Sequence, residues 1–182
     1  MALTGKIGGD FELAPAGVHK ARCFKVIDLG SKHDDKWNKM IHKITFAFEI
    51  PSALVEATGE PFIIYAQFTL SMHEKGYLRP FLESWRGKNF TDDQAEEFDI
   101  VDVLGVPATI NIIHNDGYAN VKTIMPLAEE DAPLAVNEPL SLVLNKEDFS
   151  EEVFNNLSDN MKEKIVQTPE YKLLYEQDTD IE

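Results

Sequence analysis

The order of the predicted elements constrains the fold of this chain more than any single motif does. Three runs rich in β-forming residues come first and are followed by one helical block. A predicted hairpin comes next, with Asp116-Gly117 at its turn, where a positive φ is required. In chain order these elements are Val18–Leu29, His42–Ile50, Phe62–Ser71, the helix Glu74–Trp85, and the hairpin strands Val106–His114 and Tyr118–Met125.

Three strands, a helix and two strands is the order found in a five-stranded Greek-key barrel, the OB-fold. The predicted fold class is therefore an all-β core of this type, with one inserted helix and a short helical C-terminal appendage. We expect a lead-in over residues 1–11, the barrel over 12–127, and an acidic linker, short helices and an acidic tail over 128–182. The fold alone does not determine function, because one fold carries many activities.

Two patterns predict which residues form the core. The third run alternates, so Phe62, Ile64, Ala66, Phe68 and Leu70 should face inwards, while Tyr65, Gln67 and Thr69 stay free to meet a ligand. The helical block carries an apolar stripe that should plug one end of the barrel, formed by Tyr77, Leu78, Phe81, Leu82 and Trp85.

Charge is distributed unevenly along the chain. The net charge of −15 alone argues against a polyanionic partner. Residues 1–45, however, carry eight Lys or Arg against five Asp or Glu, whereas residues 129–182 carry four against fifteen. Positive charge should therefore collect on the first two strands and their connecting loop, near the face on which OB-folds bind their ligands.

The C-terminal region is predicted to hold three short helices after a proline-containing acidic linker. Ser150, Ser158 and Thr168 are suitable N-caps for these helices. Their apolar residues are too few for an independent core, so we expect the helices to dock on the barrel or on a partner. This region could recruit replication or recombination proteins.

Several blocks resemble a known family. The segments FTLSMHEKGYLRPFLESWRGKNFT and FDIVDVLGVPATINIIHNDGYANVKTIMPL are similar to those of phage-encoded single-stranded DNA-binding proteins of the OB-fold type. Weaker likeness includes VNEPL at Val136–Leu140 and MKEKIVQTPEYK at Met161–Lys172. The resemblance implies binding of single strands with little sequence preference, in the cytoplasm of an infected bacterial host. It does not supply individual contact residues, and the tail ends in Ile181-Glu182 where bacterial single-strand binders have Pro-Phe.

A non-specific single-strand binder needs cations that follow the phosphates and flat side chains on which bases stack. The candidate stacking residues are Trp37, Tyr65 and Tyr118, of which Trp37 lies in a polar loop among lysines. The candidate cations are Lys20, Arg22, Lys32, Lys36, Lys39 and Lys43.

Two other non-enzymatic functions stay open at this point: an acidic DNA mimic, and a scaffold that binds a DNA-processing enzyme. Catalysis is not expected, since the histidines fit no metal-protease frame and no nucleophile motif is present. Cys23 is the single cysteine and should be a small buried residue. We expect no cofactor, no metal and no membrane association, and a homodimer is possible through an open strand edge.

Overall fold

The computed structural model describes residues 12–176, so the predicted lead-in and the acidic end of the chain lie outside the described residues. The strands are β1 (Gly17–Asp34), β2 (Lys39–Leu54), β3 (Pro61–Thr69), β4 (Pro107–Asn115), β5 (Tyr118–Pro126) and β6 (Leu140–Leu142). The helices are α1 (Leu78–Arg86), α2 (Asp92–Glu97), α3 (Glu151–Asn155), α4 (Asp159–Val166) and α5 (Pro169–Leu174). Short 3-10 turns cover Ile100–Val103 and Glu129–Asp131.

The strands form one mostly antiparallel sheet in the order β3-β2-β1-β4-β5. The long β1 is central because its first part pairs with β4 and its later part pairs with β2. The sequence predicts five strands, and the structure adds β6, which pairs in parallel with Lys25–Ile27 beyond the end of the β4 ladder. The terminal strands β3 and β5 approach one another without pairing, so the sheet is barrel-like but not closed.

The main core lies inside this curved sheet and confirms the predicted inward face of β3 from Phe62 to Phe68. The prediction was wrong for Leu70, which lies beyond the end of β3 and is 36% exposed. Leu78, Leu82 and Trp85 of α1 are buried, and Trp85 Nε1 donates a hydrogen bond to the Pro107 carbonyl at 2.9 Å. Five rings from β2, β3 and α1 stand with neighbouring centroids 4.5–6.5 Å apart, a spacing at which aromatic pairs attract. These rings are Phe46, Phe48, Phe68, Phe81 and Trp85.

Tyr77 corrects the predicted helical stripe. It was expected in the core, but α1 begins only at Leu78, and Tyr77 is its N-cap residue with 87% of its surface exposed. The helix starts late because the chain turns just before it, with the Gly76 amide donating to the His73 carbonyl. The buried stripe of α1 therefore begins at Leu78, and the Tyr77 side chain at the helix boundary points into solvent.

The first hairpin is also longer than predicted. The sequence predicts strands that end at Leu29 and begin at His42 with a polar loop between them, but β1 continues to Asp34 and β2 begins at Lys39, leaving a four-residue turn over 35–38. The turn is held locally, since the Asp34 carboxylate accepts a hydrogen bond from the Trp37 amide and Asn38 takes a positive φ of 48°. The polar composition of this segment is typical of a loop, but the strands of a projecting hairpin are also polar because both are in contact with water.

The C-terminal helices pack on the barrel, one of the two predicted outcomes. Their capping residues Ser150, Ser158 and Thr168 each accept an amide hydrogen bond from the first turn, as the sequence predicts. A second hydrophobic cluster joins these helices to the outer side of β1, where Ile27 is fully buried. Its buried members are Ile27, Leu142, Leu144, Phe154, Leu157 and Ile165.

Candidate nucleic-acid interface

The outer row of β3 is the exposed part of the sheet that the sequence singles out. Strand alternation turns Ile63, Tyr65, Gln67 and Thr69 away from the core while their neighbours Phe62 and Ile64 are buried. Tyr65 exposes 47% of its surface. Partial burial raises the pKa of the Tyr65 phenol, so the ring is neutral at physiological pH.

Tyr65 and Tyr118 line the same cleft. This cavity of about 610 Å³ lies where β3 and β5 approach without pairing, and Leu13 and Ala14 form part of its wall. Tyr118 is 72% exposed and begins β5 directly after the predicted tight turn, in which Asp116 and Gly117 both have positive φ. The unpaired gap in the sheet thus places two exposed rings beside one opening.

Trp37 lies at the tip of the β1–β2 hairpin and is 63% exposed. The Lys36 ammonium lies 5.2 Å from the centre of its ring, within cation–π range. Lys32 and Lys39 are exposed on the adjoining strand ends, so the hairpin end that carries Trp37 also carries three exposed lysines. This tip combines the cation and the flat ring that a stacked, phosphate-bearing ligand requires.

Lys43 connects these two aromatic regions. It pairs with Thr69 at the end of the β3 row and is exposed. Ala47, the partner of Tyr65, lies eight positions after Lys39 on β2, which is about 26 Å along the strand. The tip and the β3 row are therefore two ends of an extended surface, and we call this surface, from Trp37 through Lys43 to Tyr65 and Tyr118, the open face.

Lys20 and Arg22 do not join the open face. The Arg22 guanidinium donates to the Glu129 carboxylate at 2.8 Å and to the carbonyls of Gly105 and Pro133. Lys20 Nζ donates to the Asp131 carbonyl at 3.1 Å. Both cations therefore hold the acidic linker, and the nine residues singled out in the sequence do not form one continuous patch.

The linker also covers the outer side of β2. The carboxylate of the fully buried Glu49 accepts hydrogen bonds from the amides of Val136 and Asn137, both at 2.8 Å. Thr45 and Ala47 on the same side of β2 are buried as well. We call this outer side of β1 and β2, from Arg22 to Thr45, the covered face.

Lys25 is a cation on the outer side of the sheet that the sequence does not single out. Lys25 pairs with Ala47, which pairs with Tyr65, so the three residues share one side of the sheet. Strict alternation after Lys20 and Arg22 points Lys25 inwards, but a bulge between Cys23 and Lys25 shifts the register.

The Cys23 thiol is buried, and His42 is held between two carboxylates. Burial raises the pKa of the Cys23 thiol to about 12, so it stays protonated. His42 lies between Asp28 and Glu170, with Nε2 2.6 Å from Asp28 Oδ1 and Nδ1 3.6 Å from a Glu170 oxygen, and joins β2 to α5. Within residues 12–176 no group of three His, Cys, Asp or Glu side chains has an arrangement that could hold a metal ion.

Comparison of the chain with protein-family models, with curated proteins and with solved structures gives no match. Across residues 12–176 every helix is too short or too polar to cross a membrane.

Proposed function

We propose that this protein is an OB-fold protein that binds single-stranded DNA without sequence preference, through the open face. The observation that carries the proposal is the position of three aromatic rings, Trp37, Tyr65 and Tyr118, which are 47–72% exposed along one surface instead of packed in a core. Stacking on such rings tolerates any base, and each stacked base contributes about 1–3 kcal/mol.

The strand pairing supports the OB-fold assignment. A first strand that pairs with both β2 and β4, and a helix between β3 and β4, agree with the Greek-key order of that barrel. In OB-folds the ligand usually binds on the face of strands 2 and 3 and at the loops between strands 1 and 2 and between strands 4 and 5. Trp37 and Tyr118 lie in or beside these two turns, and Tyr65 lies on β3.

The charge of the open face supports phosphate contact. Lys32, Lys36, Lys39 and Lys43 are exposed there, while the acidic linker is engaged with Lys20 and Arg22 on the covered face. The open face therefore carries a local group of lysines although the net charge of the protein is −15. Phosphate binding by these lysines releases counterions, so affinity should fall as the salt concentration rises.

The resemblance over Phe68–Leu127 supports a role in phage DNA replication or recombination, in the cytoplasm of the infected cell. We propose in addition that the C-terminal region contacts other proteins of that process. Val166, Leu173 and Tyr175 of this region expose 38–57% of their surfaces, which supports this second contact.

The experiment that tests the proposed function is a titration of labelled oligo-dT and of a matching duplex at two salt concentrations. We expect oligo-dT to bind more tightly than the duplex, and more weakly at the higher salt concentration. Binding of neither nucleic acid would overturn the proposal and favour the acidic mimic. Equal binding of both would exclude selectivity for single strands.

A further inference from the structure

One row across the sheet brings together a cation, a small residue and a ring. Lys25 of β1, Ala47 of β2 and Tyr65 of β3 are direct cross-strand partners, and direct partners project from the same side of a sheet. Two strand spacings separate the Cα atoms of Lys25 and Tyr65, about 10 Å. Ala47 between them is fully buried, so the solvent-accessible groups of these three residues are the lysine and the ring.

Lys25 differs from Arg22 of the same strand in its contacts. The Arg22 guanidinium is fully engaged by Glu129 and two carbonyls, whereas Lys25 forms no ion pair with any carboxylate in the described part of the chain. Its ammonium lies 5.3 Å from the centre of the Phe24 ring. Partial burial lowers the pKa of Lys25 from its ordinary value, because the ammonium has lost part of its hydration.

We propose that Lys25 and Tyr65, on either side of the buried Ala47, form a subsite for one nucleotide, in which the Tyr65 ring stacks on the base and the Lys25 ammonium binds an adjoining phosphate. This inference rests on the proposed function and identifies a contact within it. A partly dehydrated ammonium without a protein anion gains more from a phosphate than a fully hydrated one, because less water must be removed on binding.

The test compares Lys25→Gln with Lys164→Gln, a matched change at an exposed lysine on α4. Oligo-dT affinity is measured over a range of salt concentrations. We expect Lys25→Gln to weaken binding about tenfold at low salt, the effect of one charge-assisted hydrogen bond. It should also reduce the slope of log affinity against log salt by about 0.7, the value of one phosphate contact on a single strand. Lys164→Gln should leave both quantities unchanged.

Two further variants separate a phosphate contact from a structural effect. Lys25→Arg keeps the charge and should restore the salt slope. A double-mutant cycle of Lys25→Gln with Tyr65→Leu should show coupling, because both residues hold the same nucleotide. An unchanged slope in Lys25→Gln, while wild-type protein still binds oligo-dT, would overturn the subsite and leave the proposed function intact. Failure of the wild type to bind any oligonucleotide would overturn both.

Discussion

The two parts of the outer sheet surface differ in their exposure to solvent. On the covered face, Glu49 is buried beneath the linker and Ile27 beneath the C-terminal segment, and Thr45 is buried as well. On the open face, Ile63 and Tyr65 are 38% and 47% exposed on a strand of the same sheet. The chain thus uses one part of this surface to attach its C-terminal region and leaves the other part in contact with solvent.

Exposure of the outer side chains on β3 is therefore not a general property of the sheet. An apolar side chain that stays in water gains none of the stabilisation of burial, which amounts to about 25 cal/mol per Å². On the covered face, the linker and the C-terminal helices bury residues of the same sheet. Under the proposed function, the apolar and aromatic groups left open on β3 are those that contact the ligand.

The largest expected effect is a difference in the loss of stability between substitutions on the two faces. Ile27→Ala, on the covered face, should lower the free energy of unfolding by about 2–5 kcal/mol, because it leaves a cavity in the second cluster. Ile63→Ala is the matched change on the open face and should cost less than about 1 kcal/mol. Urea unfolding of both variants measures the difference, and equal losses would remove the distinction between the faces.

The next effect concerns binding. Trp37→Ala should weaken oligo-dT binding by about 1–3 kcal/mol, since one stacking ring is lost, with little change in thermal stability. Tyr175→Ala removes an aromatic residue of similar exposure from the end of α5 and serves as the control. Fluorescence anisotropy gives both affinities. Equal effects of the two substitutions would contradict a specific role for the hairpin tip.

A smaller effect concerns pH and the attachment of α5. The Asp28 carboxylate raises the pKa of His42 above its ordinary value of 6.5, with a weaker contribution from Glu170. A raised folded-state pKa means that the stabilisation is fully present below the unfolded pKa and is lost as the pH rises through the folded one. Solvent screening limits the size of this effect to less than about 1 kcal/mol.

Unfolding free energies measured between about pH 6 and pH 9 should therefore decline more in the wild type than in His42→Gln. The exposed His73→Gln variant provides the control and should follow the wild type. If His42→Gln declined as steeply as the wild type, the pair of His42 with Asp28 would make no contribution to the attachment of the C-terminal region.

The smallest expected effect comes from the linker. Glu129→Ala removes the carboxylate that pairs with Arg22, but the guanidinium keeps its hydrogen bonds to the Gly105 and Pro133 carbonyls. Oligo-dT affinity should therefore change by no more than about twofold, as for other exposed ion pairs. Tightening much beyond that value would mean that Arg22 belongs to the binding surface after all.

The sequence predicts the elements that follow local rules. The alternation in β3 identifies Tyr65 as outward-facing, Asp116-Gly117 predicts the second hairpin turn, and the helix caps at Ser150 and Ser158 are confirmed. In each case the decisive information lies within a few neighbouring residues. The open face could be predicted from the sequence to this extent.

The features that the sequence does not predict depend on contacts between distant segments. The engagement of Arg22 by Glu129 joins residues 107 positions apart, and β6 becomes a strand only because it pairs with β1. Lys25 was missed because a single inserted residue, Phe24, reverses the alternation of β1 at the bulge. No local pattern marks that insertion, since Phe24 and its neighbours are all common strand residues.

Photo-crosslinking of oligo-dT to the full chain, followed by mass spectrometric mapping, shows which aromatic residues contact DNA. We expect crosslinks at Trp37, Tyr65 and Tyr118 and none at Tyr171 or Tyr175 of the C-terminal helix. Crosslinks confined to that helix, or distributed over every exposed aromatic residue alike, would contradict the assignment of DNA binding to the open face.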